Sequence, residues 1–237
     1  MKLSPLTRAL IWIGAYVISF SAADALSESL GTPMLITCPL ALAMTAVLLI
    51  RIFRSGQAGF YGLRRLNTIR LHPLHILPFI LIASANFWGG VNLHPPTAQD
   101  ALHIVTMLCV GLIEEVIFRG LLFRAIEKDG YTAAIIICGL TFGIGHIMNL
   151  LSGAEFLPTL MQIVYASAAG FCFTLFFSKT GHLIPCIICH SLLNATSIFS
   201  VPSSLAVQAV HALLLTVIAG GYALYLYRMK SAENAAQ

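Results

Sequence analysis

Charge is scarce in this chain. Only 9% of its 237 residues are Asp, Glu, Lys or Arg, against 58% apolar residues. Soluble domains carry about 25% charged residues, so too few are present here to coat a water-facing surface. That shortage excludes a soluble globular enzyme, a disordered chain and a nucleic-acid-binding protein, even though the net charge is +4. Other signals are missing as well. No run alternates with period two, so strands are not expected. The cysteines (Cys38, Cys109, Cys138, Cys172, Cys186 and Cys189) sit within or at the ends of apolar runs and show no spacing of an extracellular disulfide framework. We read them as small apolar residues of packed helices. Internal repeats are absent, as are a His-Glu-x-x-His zinc motif, a Gly-x-Ser-x-Gly elbow and an obvious serine–base pair.

What the chain has is apolar sequence. One span takes about 20 apolar residues, so there is room for roughly eight spans with short loops. Eight segments can be marked, at 8–23, 33–53, 74–91, 101–123, 132–151, 157–177, 182–200 and 205–227. Turn residues such as Gly31-Thr32-Pro33, His94-Pro95-Pro96, Lys128-Asp129-Gly130 and Val201-Pro202-Ser203 separate them. Residues 55–71 form the only long polar connection. The expected fold is all-α and polytopic, a single integral membrane domain over residues 1–237.

Charge sign orients these spans. With the N-terminus in the cytoplasm, all 13 basic residues fall at cytoplasmic ends or loops. They are Lys2, Arg8, Arg51, Arg54, Arg64, Arg65, Arg70, Arg119, Arg124, Lys128, Lys179, Arg228 and Lys230. The opposite ends hold Asp24, Glu28, Asp100 and Glu155 and no base. This is a positive-inside pattern, and it predicts a multi-pass protein of a bacterial cell membrane with both termini cytoplasmic. Two look-alikes are set aside. Lys2, Arg8 and Ala23-Asp24-Ala25 imitate a signal peptide, but the charge pattern favours a first transmembrane helix. Cleavage there would not touch the site described next. Cys186-Ile187-Ile188-Cys189-His190 has the spacing of a haem attachment motif, yet it lies inside an apolar span, so no haem is expected.

Charge within a span costs roughly 2.5–3.5 kcal/mol per group on insertion scales, so the few such groups are informative. Span four carries Glu114-Glu115 followed by Arg119, span five carries His146, and span seven carries His190 and Asn194. Glu115 and Arg119 are four apart and can pair on one helix face. Glu114 points about 100° away and stays free. His190 and Asn194 are also four apart. Gly139-x-x-x-Gly143, just before His146, permits a close helix approach. At about 1.5 Å per residue, Glu114 lies roughly 15 Å from the cytoplasmic end, His190 roughly 16 Å, and Asn194 and His146 roughly 22 Å. These depths suit a shared polar cavity. The remaining histidines (His72, His75, His94, His103, His182 and His211) read as interfacial or packing residues.

A carboxylate and a neutral imidazole can hold and deprotonate a water, while a second imidazole and a carboxamide can donate to an oxyanion. Glu114, His146 and His190 could instead hold a zinc with an open position for water. The residues leave both versions open. A proton-coupled transporter and a non-catalytic immunity or peptide-binding protein are the competing readings. Glu and His chains also relay protons in membranes, but no inverted repeat with paired broken spans is visible.

Glu114-Glu115-x-x-x-Arg119, Phe142-x-x-x-His146 and His190-x-x-x-Asn194, in this order on separate spans, resemble the three motifs of the CPBP family, also called the Abi family. Its members include the type II CAAX prenyl protease and bacteriocin-processing or immunity proteases. The resemblance covers about residues 100–200. It implies an intramembrane endopeptidase opening to the cytoplasm and acting on a membrane-associated peptide or protein. It further implies that Glu114 and His146 activate the water and that His190 and Asn194 stabilise the oxyanion. Glu115 and Arg119 would brace the site. A glutamate-type mechanism without a cofactor is expected, with zinc as the alternative.

Overall fold

The computed structural model describes residues 3–63 and 73–229. Eight helices are described, and they match the eight apolar segments one to one. They are α1 (Pro5–Ser29), α2 (Thr37–Arg54), α3 (Pro73–Ala83), α4 (Ala98–Ile126), α5 (Tyr131–Gly145), α6 (Phe156–Thr180), α7 (Ile184–Ala195) and α8 (Leu205–Arg228). Six of them are long and apolar enough to cross a membrane. The other two are shorter than a span requires. α3 has 11 residues, and α7 with its 3-10 extension runs Ile184–Phe199. The protein is an all-α polytopic membrane protein. Lys2, Arg64, Arg65, Arg70, His72 and Lys230, with residues 64–71 of the long polar connection, lie outside the described residues.

Local chemistry sets the helix ends. Ser4 caps α1 by accepting the Thr7 amide at 3.0 Å, with Pro5 in the first turn, where its missing N–H costs nothing. Thr97 and Asp100 form a reciprocal capping box at the start of α4, with bonds of 3.2 and 2.7 Å, each such cap being worth about 1 kcal/mol. Gly181 ends α6 in the left-handed region at φ 68°, where only glycine is unstrained.

Small residues decide which helices touch. A Cβ on Gly111 of α4 would meet the Ser191 backbone of α7 at 2.7 Å. A Cβ on Gly143 of α5 would meet the Ile163 carbonyl of α6 at 2.7 Å, and one on Gly170 of α6 would meet the Gly139 carbonyl at 2.7 Å. The Gly139-x-x-x-Gly143 pattern is therefore a contact with α6, where backbones approach closely because no side chain intervenes. α4 and α6 form the centre, with 50% and 56% of their most apolar stretches buried, against 17% for α1. Large apolar side chains such as Ile18, Leu213 and Val217 face outward, as lipid contact requires.

Alternating helix direction gives the bundle two different ends. At one, the Lys179 ammonium donates to the Met229 carbonyl at 2.9 Å and Arg124 Nε to the Phe60 carbonyl at 3.1 Å. At the other, the Gln99 amide donates to the Pro33 carbonyl at 2.9 Å, the Asn92 N–H to the Phe199 carbonyl at 2.8 Å, and the Thr37 hydroxyl to Asp24.

Candidate active site

The site grows out of a change of helical pitch. α4 is regular to Glu115, continues as a π-helix over Val116–Phe123, and ends in a short α turn. Such wide-turn insertions recur at functional sites. Here the change begins directly after Glu114-Glu115.

Glu115 and Arg119 are both fully buried, and Arg119 Nη1 donates to Glu115 Oε1 at 2.9 Å. The predicted i,i+4 pair is formed. Its surroundings explain how the charges are tolerated. Arg119 Nη2 donates to the Gly170 carbonyl at 3.3 Å, and the guanidinium lies 4.2 Å from the Phe142 ring centre and 5.7 Å from that of Phe173. Glu115 Oε1 also meets His190 Nδ1 at 3.0 Å. A carboxylate that accepts from both arginine and imidazole holds the ring in one orientation and presents its other nitrogen to the cavity. Arg119 was counted above among the cytoplasmic-end bases. The structure removes it from that set, because its charge is fully buried and serves this pair.

Glu114 faces the other way, into a cavity of about 790 Å³ whose walls include Glu114, His146, His190 and Asn194. Its Oε1 accepts the Tyr16 hydroxyl at 2.6 Å, and its Oε2 lies 3.5 Å from His190 Nε2. His146 Nδ1 is 3.2 Å from the Phe142 carbonyl of its own helix, which points its Nε2 side away from the backbone. The Phe142 ring stands edge-on to both imidazoles, with ring centres 5.6 Å from His146 and 5.4 Å from His190. All four residues expected to do chemistry line one cavity. Glu115 and Arg119, expected to brace it, lie behind His190.

Among the described residues, no group of three or more His, Cys, Asp or Glu side chains is arranged to hold a metal ion. His190 Nδ1 is engaged by Glu115 and His146 Nδ1 by a carbonyl, which leaves the Nε2 atom of each ring on the side away from those partners.

Residues 96–196 match the family model of type II CAAX prenyl endopeptidase, Rce1-like. The matched segment contains Glu114, Glu115, Arg119, Phe142, His146, His190 and Asn194, so the resemblance read from three short motifs is shown over that length. Human CAAX prenyl protease 2 is 30% identical over 93 aligned positions, a match that covers 35% of this chain. The chain spans 28% of the length of that relative. No solved structure matches this chain.

Residues outside the matched segment complete the cavity, and sequence reasoning missed them. Tyr16 is separated from Glu114 by 98 positions, and nothing local to either residue announces the bond. The signal-peptide alternative therefore does touch the site, since cleavage at Ala23-Asp24-Ala25, within α1, would remove Tyr16. Two histidines expected to be interfacial or packing residues, His103 and His211, line the cavity instead. His103 Nε2 is 3.0 Å from the Ser197 hydroxyl, which donates to the Asn194 carbonyl at 2.7 Å, so α4 is tied to the turn that carries Asn194. His211 packs edge-on against Trp88. His75 meets the Tyr222 hydroxyl at 3.0 Å, and all six cysteines are free and buried.

Proposed function

We propose that this chain is an intramembrane endopeptidase that cleaves a peptide bond in a membrane-associated peptide or protein through an activated water. One observation carries the reading. A carboxylate, two imidazoles and a carboxamide from three helices open onto one cavity, and a second carboxylate and an arginine are buried directly behind them. The match to type II CAAX prenyl endopeptidases over residues 96–196 supports the same reaction class.

In the proposed reaction, Glu114 accepts a proton from a water held between its carboxylate and His146, and the water oxygen attacks the scissile carbonyl. The carbonyl oxygen becomes an oxyanion that takes a hydrogen bond from the Asn194 amide, on the side of the cavity where His190 stands. Glu114 then passes its proton to the leaving amine as the C–N bond breaks. The Tyr16 hydroxyl fixes one Glu114 oxygen, so the other is the one that faces His190 and the cavity. No step in this scheme uses a metal. We further propose that the chain lies in a bacterial cell membrane with both termini in the cytoplasm, in keeping with the charge pattern.

The test compares small membrane peptides from cells carrying the wild-type chain with those from cells carrying Glu114→Gln. Cleavage products present with the wild type and absent with the variant are expected. Identical peptide profiles with both proteins present in the membrane would remove the protease reading. Peptide binding that survives in Glu114→Gln without any cleavage by the wild type would favour a non-catalytic role.

A further inference from the structure

The cavity is closed toward one end of the bundle and open toward the other. On the side of Arg51, Arg54, Arg124, Lys128, Lys179 and Arg228 its lining stops at the rings of Phe118, Phe142 and Phe173. Beyond those rings Ile117, Phe123, Phe177 and Leu183 are buried to 0% exposure, and so is the Glu115–Arg119 pair. In the other direction the wall runs past Asn194 and Asp24 to Ser152, Ala154, Val201 and Pro202, which are exposed at the opposite end. Every described helix terminus at that opposite end is free of Lys and Arg.

Basic residues in short loops mark the cytoplasmic side of a membrane protein. We infer that the cavity opens to the non-cytoplasmic face, so that the enzyme takes a peptide segment lying at or entering from the outer side of the membrane and not a tail presented from the cytosol. This rests on the protease reading above and reverses the cytoplasmic opening implied by the motif resemblance. Packing is the physical reason. A cytoplasmic substrate would have to part the ring of buried Phe, Ile and Leu side chains and the Glu115–Arg119 pair, whereas an outer one meets a wall already lined by Met34, Met148 and Met161 with the carboxamides of Asn149 and Gln162. Unbranched thioethers adapt to varied apolar side chains, and carboxamides pair with an extended backbone.

The experiment is labelling with a membrane-impermeant maleimide in intact cells and after permeabilisation. The six native cysteines are buried, which keeps the background low. Ser152→Cys sits at the mouth, Ser21→Cys on the cavity wall, and Lys128→Cys at the basic end. Ser152→Cys and Ser21→Cys are expected to label in intact cells, and prior treatment with an impermeant blocking reagent from outside should abolish that label. Lys128→Cys should label only after permeabilisation. Labelling of Ser21→Cys solely from the side that reaches Lys128→Cys would overturn the inference. So would an outward Ser152→Cys with a Ser21→Cys that labels from neither side. A run in which the labelling is as expected but Glu114→Gln leaves the membrane peptides unchanged would remove the protease and keep the outward-facing cavity.

Discussion

Glu114 and Glu115 are adjacent in sequence and opposite in environment. Glu115 is fully buried, shared between Arg119 and His190, and has no surface in the cavity. Glu114, one residue and about 100° around the helix, lines the cavity and is held by Tyr16. The same side chain is paired behind the cavity in one position and open to it in the next. The difference arises from partners. The Glu115 carboxylate is occupied by Arg119 and His190, while Glu114, beside the Tyr16 hydroxyl, keeps an oxygen facing the cavity.

This contrast can be broken by substitution. The largest effect is expected from Arg119→Ala, which leaves Glu115 buried without its counter-charge. Removing one partner of a buried pair costs about 3–5 kcal/mol, so loss of folded protein in a detergent thermal-stability assay should precede any question of activity. Glu114→Gln should do the reverse, leaving thermal stability nearly unchanged while cleavage falls by about 10²- to 10⁴-fold, the range for a positioned acid–base group. If both variants lose stability equally, the division between brace and base fails. Asn194→Ala should lower kcat by about 10²- to 10³-fold, as for loss of one oxyanion donor, with little change in KM. A matched rise in KM at constant kcat would assign Asn194 to substrate binding instead. Tyr16→Phe is expected to have the smallest effect. It removes the hydrogen bond that holds one Glu114 oxygen and should slow turnover about tenfold, with a loss of stability of about 1 kcal/mol. Unchanged turnover would make the Tyr16–Glu114 bond incidental.

Much of this was legible in the sequence for a local reason. Eight apolar segments became eight helices because hydropathy and helix length are properties of consecutive residues. The Glu115–Arg119 pair was legible because residues four apart meet on any helix, here even where α gives way to π. The shortness of α3 and α7, the π segment and the cavity positions of His103 and His211 were not legible. Nor was Tyr16, whose partner is 98 residues away.

The sequence by itself determined the membrane class, the helical segments, the charge asymmetry and the identity of the polar groups placed inside spans, because each follows from composition and short-range spacing. Only the tertiary structure decided that α4, α5 and α7 share a cavity, that Tyr16 and His103 join it, and which end is open. Those outcomes depend on where Gly111, Gly139, Gly143 and Gly170 let backbones approach. A close approach joins residues distant in sequence, which no hydropathy pattern or helical period encodes.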